Sequence, residues 1–243
     1  MKIFLDTADT SLIRDRFQKG LVDGVTTNPT LIMKSGRDPV EVYAELEDIG
    51  LTDISMEVVG DAKEMMDQAL SLIEKFSHVA TIKVPCTEDG LTVCRVLSKM
   101  DVDVNVTLIF SAAQAILASK AGARYVSPFV GRVDDNSFDG IELIREISTI
   151  YRANHAQTEI LAASVRTVRQ VTDSFLAGAD LVTLPPAVLD KMYKHILTDA
   201  GLAQFEKDWQ QVVKPPKKEN WLDWKPKSGY NMYNEGHTTP LQT

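Results

Sequence analysis

Residues 78–90 read HVATIKVPCTEDG, and the fold is decided by how this stretch is read. Val79, Ala80, Ile82 and Val84 make a short apolar run, the pattern of a strand buried on both faces in a parallel sheet. Pro85 and Gly90 mark its exit into a loop, and Thr87 is placed to cap the helix-period segment 88–99 that follows. One residue breaks the pattern. Lys83 stands in the middle of the run, where a charged amine is either costly or useful.

The same strand–helix unit recurs on both sides. Strands are predicted at 2–6, 23–27, 54–59, 80–84, 103–109, 124–130, 159–164 and 180–185. Helix-period segments fall at 10–19, 39–48, 61–76, 88–99, 111–120, 138–153, 167–177 and 187–199. Thr10, Asp61, Thr87, Ser111 and Thr167 are the expected N-caps. Ala121-Gly122-Ala123 and Ala177-Gly178-Ala179 end two helices just before a strand, as αβ loops do. Eight such units predict an α/β protein with a (β/α)8 TIM barrel rather than an open sheet. A further helix is expected at 202–213, so that residues 1–213 form one domain, followed by a tail at 214–243. The tail carries a formal charge of +2. Its composition suits a disordered segment, whereas Trp221, Trp224, Tyr230 and Tyr233 suit a docked one.

Composition narrows the function classes. The chain has 243 residues, 44% apolar and 25% charged, enough for a large core. Its formal charge of −8 argues against nucleic acid or a membrane surface as partner. An anionic small substrate would need arginines concentrated locally. Cys86 and Cys94 imply no disulfide framework, the N-terminus MKIFLDTADT reads as a strand and helix cap rather than a signal peptide, and no apolar run reaches spanning length. The expected compartment is the cytoplasm.

Side chains alternate along a strand, so parity counted from Lys83 sorts each strand into a helix-facing and an interior set. Ile82 and Val84 face the helices and Lys83 the interior. By the same count Val104, Val106 and Leu108 face outward, and Asn105 and Thr107 inward. Met56 and Val58 alternate with Ser55 and Glu57; Val126, Pro128 and Val130 alternate with Tyr125, Ser127 and Phe129. In the first strand Ile3 and Leu5 leave Asp6 inward. Asp6, Glu57, Lys83, Asn105, Thr107 and Ser127 therefore aim at one interior, mostly near the strand ends where barrels keep their active sites. Any one of them could be a satisfied core polar group, and Lys83 could be half of a structural ion pair with Asp6 or Glu57. Jointly they are poor choices for an interior built only for stability.

Other chemistries lack support. His78, His155, His195 and His237 are scattered, and neither metal-ligand spacing nor Cys-x-x-Cys occurs, so no metal is expected. No Gly-x-Gly-x-x-Gly, P-loop or local Ser–His–acid triad is present, and no organic cofactor is expected. Amine chemistry remains. A free lysine titrates near about 10.4; desolvation lowers that value and a nearby carboxylate raises it. A neutral amine in a dry pocket attacks carbonyls to give a Schiff base, an electron sink. Asp6 and Glu57 could move the protons.

FLDTAD (4–9), GVTTNPT (24–30), IKVPCTEDG (82–90), NVTLIFSAAQA (105–115), YVSPFVGRVD (125–134) and LAASVRT (161–167) together resemble the transaldolase family, in its short-chain branch, over residues 1–213. The resemblance implies an α/β barrel in which Lys83 is the Schiff-base lysine and Asp6 the acid/base for the C4 hydroxyl. It implies that Glu57 and Thr107 hold a proton-shuttling water, and that Asn28, Asn105 and Ser127 hold the hydroxyls of a three-carbon dihydroxyacetone unit. Arg132, Ser164 and Arg166 match the positions that grip a substrate phosphate. Asn28 could also simply cap a helix beginning at Pro29, and Arg132 could pair with Asp134 or Asp135. Fructose-6-phosphate aldolases of the same family typically carry Gln at the position of Glu57 and Tyr at that of Phe129, so both residues here follow the transaldolase pattern. The implied activity is transfer of dihydroxyacetone between phosphorylated sugars of the pentose phosphate pathway. Release of free dihydroxyacetone and a non-catalytic sugar-phosphate-binding barrel are the alternatives. The branch also implies a homo-oligomer, a pentamer or decamer, with the helix at 202–213 at an interface.

Overall fold

Near-continuous apolar strands need cover on both faces and, at the two edges, something to satisfy their backbone. The protein meets both needs by closing its sheet. A computed structural model describes residues 1–212. In it β1 (Lys2–Asp6), β2 (Gly24–Thr26), β3 (Ile54–Glu57), β4 (Ala80–Pro85), β5 (Val104–Ile109), β6 (Tyr125–Pro128), β7 (Glu159–Ala162) and β8 (Leu181–Leu184) lie in that order, all parallel, with β8 pairing back onto β1. The crossovers carry α1 (Thr10–Phe17), α2 (Pro29–Ser35), α3 (Pro39–Asp48), α4 (Ala62–Phe76), α5 (Glu88–Ser98), α6 (Ala112–Ala121), α7 (Val130–Asp135), α8 (Gly140–Ala153) and α9 (Val168–Ala177). α10 (Pro186–Met192) follows β8. This is the expected (β/α)8 barrel, in a unit spanning Met1–Lys194. α11 (Ile196–Val212) belongs to a second unit that begins at His195. The expected tail, with Trp221, Trp224, Tyr230 and Tyr233, lies outside the described residues. Among those described, no helix is long and apolar enough to cross a membrane.

Several boundaries differ from the sequence reading. The helix expected at 187–199 is two elements, broken at Tyr193–His195, and the helix expected at 202–213 is, over its described residues 202–212, the later part of α11. His195 Nδ1 accepts the Leu197 amide at 3.2 Å, which restarts the helix. Asp9, not Thr10, caps α1: its carboxylate accepts the amides of Ser11 and Leu12, each at 3.1 Å. Asp61, Thr87, Ser111 and Thr167 cap as expected. Gly122 and Gly178 end α6 and α9 in the left-handed conformation. α2 and α7 are short additions that the strand–helix alternation did not require.

The core has two parts. Leu5, Val25, Met56, Ile82, Val106 and Val182 point outward from the strands into the helix layer and are fully buried; each contributes about 1.5–3 kcal/mol by leaving water. Inside the barrel, Phe4, Tyr125, Leu161 and Leu181 form a separate apolar plug. Gly24 makes room for it, since a methyl group there would lie 2.6 Å from the Phe4 ring. Asp53 holds the plug in place, accepting hydroxyl hydrogen bonds from Tyr125 and Thr81 at 2.8 Å each.

The interior parity fails at one residue. Between Val106 and Ile109 the register of β5 against β6 shifts, and Leu108 has φ +58°. The bulge turns Leu108 away from the helix layer and into the cavity above the plug.

Candidate active site

Strand register explains which polar side chains meet. Glu57 pairs with Lys83 across β3 and β4, and Lys83 with Asn105 across β4 and β5, so three interior polar groups sit side by side. Across β1 and β2, Asp6 pairs with Thr26. All of these but Asn105 open onto a cavity of about 290 Å³ at the C-terminal ends of the strands, the face where barrel enzymes work.

Lys83 is 5% exposed. Its Nζ lies 2.9 Å from Glu57 Oε2 and donates to the Thr27 carbonyl at 3.0 Å. Those two contacts fix an amine that would otherwise swing on four methylenes. Thr27 is itself fixed: its hydroxyl donates to the Ser55 carbonyl at 2.9 Å and lies 3.2 Å from the Tyr43 hydroxyl. Asp6 accepts from Thr26 at 3.0 Å. Burial pushes its carboxyl above the ordinary range; Lys83 and the Thr26 hydrogen bond oppose that rise, Glu57 adds to it, and Arg132 opposes it. Thr107 Oγ1 is buried and lacks a hydrogen-bond partner among the described residues, an orphan donor and acceptor on the cavity wall.

Asn105 lies beneath the cavity. It accepts from Ser127 at 2.7 Å and donates to Ser55 at 3.1 Å, so Ser127 rather than Asn105 forms the lining. Asn28 does two things at once: its side chain caps α2 by accepting the Leu31 amide at 3.0 Å, and it lines the cavity.

At the rim, Phe129, Arg132 and Ser164 line the opening. The Arg132 guanidinium sits over the Phe129 ring, 4.7 Å from its centroid, and Phe110 meets that ring edge-on at 5.7 Å. Such stacking is worth about 0.5–2 kcal/mol and leaves the guanidinium edge available. Ser164 holds φ +56°, a second non-glycine residue at the cavity in the left-handed region, beside Leu108. Arg166 is elsewhere. Its guanidinium is engaged in a two-pronged pair with Asp135, at 2.5 and 2.6 Å, outside the cavity lining. Arg132 has no carboxylate within ion-pairing distance among the described residues; Asp135, considered as its partner, is held by Arg166. Gly131 permits this packing, because a methyl there would lie 2.3 Å from the Ser164 carbonyl oxygen and 2.9 Å from Arg166 Nε.

The structure thus brings together Asp6, Asn28, Glu57, Lys83, Thr107, Ser127, Phe129, Arg132 and Ser164, with Asn105 below and Arg166 apart. It adds Thr26, Leu108 and Thr183. Thr26 and Thr183 carried the same signal as the others, a hydroxyl inside an apolar strand. Among the described residues, no three His, Cys, Asp or Glu side chains converge as metal ligands.

One amine and two carboxylates, gathered at the face where (β/α)8 barrels keep their active sites, are groups suited to proton transfer and covalent chemistry. Residues 3–215 match the family model described as transaldolase/fructose-6-phosphate aldolase. The chain is 54% identical over 213 residues to a probable transaldolase of Paracoccus denitrificans, covering 87% of this chain and 98% of that one. It is 51% identical over 209 residues to a probable transaldolase of Caulobacter vibrioides (86% and 96%) and 53% over 212 residues to one of Brucella anthropi (87% and 98%). The chain belongs to the transaldolase/fructose-6-phosphate aldolase family.

Proposed function

We propose that this protein is a transaldolase that moves a dihydroxyacetone unit from a ketose phosphate to an aldose phosphate through a Schiff base on Lys83. The observation that carries the reading is the buried amine 2.9 Å from Glu57, at the floor of a cavity whose wall holds Asp6. Glu57 takes a proton from Lys83, and the neutral amine adds to the C2 ketone of fructose 6-phosphate or sedoheptulose 7-phosphate. Water leaves the carbinolamine as Glu57 and Thr107 relay protons. Asp6 takes the proton of the C4 hydroxyl, the C3–C4 bond breaks, and its electrons pass to the iminium nitrogen. An aldose phosphate departs, and the enamine on Lys83 adds to the carbonyl carbon of glyceraldehyde 3-phosphate or erythrose 4-phosphate. Asp6 returns the proton to the new hydroxyl, and water releases the ketose.

In this reading Asn28 and Ser127 hold hydroxyls of the three-carbon unit, with Asn105 orienting Ser127 from below. Arg132 and Ser164 receive the phosphate at the rim. Arg166 joins them only by exchanging Asp135 for phosphate. The exposed apolar side chains of α11, among them Leu202, Phe205 and Trp209, are those that a contact between copies in a ring of five or ten would cover; sedimentation velocity reads that number directly.

Borohydride reduction in the presence of fructose 6-phosphate tests the core of the proposal. It should leave an adduct on the peptide containing Lys83, and no adduct there ends the reading. Release of glyceraldehyde 3-phosphate should depend on added erythrose 4-phosphate; release without an acceptor makes the protein an aldolase. Phe129 is the residue that separates the two activities, because a phenol at that place could protonate the enamine or orient water. Phe129→Tyr should therefore raise acceptor-independent cleavage by about tenfold or more, measured as free dihydroxyacetone, while keeping an aromatic face under Arg132.

A further inference from the structure

Thr183 has no role in the chemistry above, yet it is 3% exposed and its hydroxyl lies 2.6 Å from that of Thr26, which is 2% exposed. Thr26 Oγ1 in turn lies 3.0 Å from Asp6 Oδ1. Three groups on β8, β2 and β1 thus form one line of hydrogen bonds ending on the carboxyl. Each hydroxyl has a single proton, and that fixes the direction of the line. When Asp6 is ionised, Thr26 must donate to it, so Thr183 must donate to Thr26. When Asp6 is protonated on Oδ2, Oδ1 still only accepts, so Thr26 goes on donating to it and the line keeps its direction. No proton is carried to Thr183, and neither hydroxyl has to turn.

We propose that Thr183 is a positioning residue that acts through Thr26 on Asp6, holding Oδ1 in either protonation state so that Oδ2 exchanges the proton with substrate. The proposal rests on the transaldolase reading, in which Asp6 accepts a proton in one half-reaction and returns it in the next. A hydroxyl line that satisfies both states spares the carboxyl an unpaired partner at either stage. Donation along the line is stronger toward an anion than toward a neutral acid, so its net effect favours the carboxylate. The other charged groups that bear on Asp6 are Lys83 and Arg132, which favour the anion, and Glu57, which disfavours it; burial disfavours it most. The line therefore offsets part of the burial.

The test is Thr183→Val, which keeps the side chain's shape and removes the hydroxyl, with Thr183→Ser restoring it. With fructose 6-phosphate and erythrose 4-phosphate as substrates, Thr183→Val should lower kcat about tenfold, the worth of one such hydrogen bond, with KM changed less than threefold. The acid limb of its kcat/KM profile should move to higher pH, because the carboxylate has lost support. Thr183→Ser should recover both. Thr183→Ala, which cannot clash, is read in the same way if the valine variant does not fold. A valine or alanine profile that overlays wild type, or a serine variant no better than valine, overturns the inference. Borohydride trapping run beside it keeps the two readings apart: wild type that traps sugar on Lys83 with an unmoved Thr183→Val profile removes Thr183 alone, whereas wild type that fails to trap removes the Schiff base.

Discussion

Lys83→Ala loses essentially all turnover, on the order of a 10⁴- to 10⁶-fold fall in kcat, the range seen when a covalent nucleophile is deleted. Among the described residues no other amine lines the cavity, and a neighbouring carboxylate cannot form an iminium. Mass analysis after borohydride reduction should show no sugar adduct, and wild-type-like turnover would end the mechanism. The stability effect needs separate care. Removing the lysine strips Glu57 of its partner at 2.9 Å, and a buried carboxylate left alone is costly. The double variant Lys83→Ala/Glu57→Gln removes that charge as well. It should melt close to wild type, so the lost activity is read on a folded barrel.

Asp6→Asn gives the second large effect and separates the steps. Kcat for cleavage should fall about 10²- to 10⁴-fold, the usual contribution of a positioned base. Imine formation precedes the Asp6 step, so borohydride should still trap the ketose on Lys83. The same variant tests the electrostatics through stability. Burial raises the folded Asp6 above its ordinary value of 3.8. Between that value and the raised one the native state binds more protons than the unfolded chain, so its stability falls as pH rises. The group's favourable contribution is complete below about 3.8 and is lost as pH climbs through the folded value. Above the raised value wild type carries a buried charge that asparagine lacks. Asp6→Asn should melt higher than wild type at pH 7, with the gap closing in acid; a lower melting temperature at neutral pH contradicts the assignment of burial as the dominant influence.

Much of this site was legible in the sequence, and the reasons are specific. Alternation along a strand is enforced by backbone geometry, so one anomalous lysine indexed the interior of its own strand, and the same parity read on β1, β3 and β6 found Asp6, Glu57 and Ser127. Leu108 escaped because a bulge adds a residue without a sequence mark, and a leucine with positive φ is not what a reader expects there. The break at Tyr193–His195 escaped for a related reason: no proline or glycine interrupts the helical pattern. Arg166 illustrates a third limit. Local pairing was considered between Arg132 and the acids two and three residues on, whereas the pair that forms joins Arg166 to Asp135, 31 residues away. Sequence adjacency says little about which of two arginines a carboxylate will meet.

The apolar plug beneath the cavity carries a last consequence. Phe4, Tyr125, Leu161 and Leu181 are at most 1% exposed and shut the barrel from below, which leaves the side of Phe129 and Arg132 as the open approach to Lys83 among the described residues. In the proposed reaction both aldoses use that approach and the same place beside the Lys83 enamine. The first must be gone before its successor arrives, and initial rates taken at several fixed donor levels should draw a family of parallel lines in double-reciprocal form.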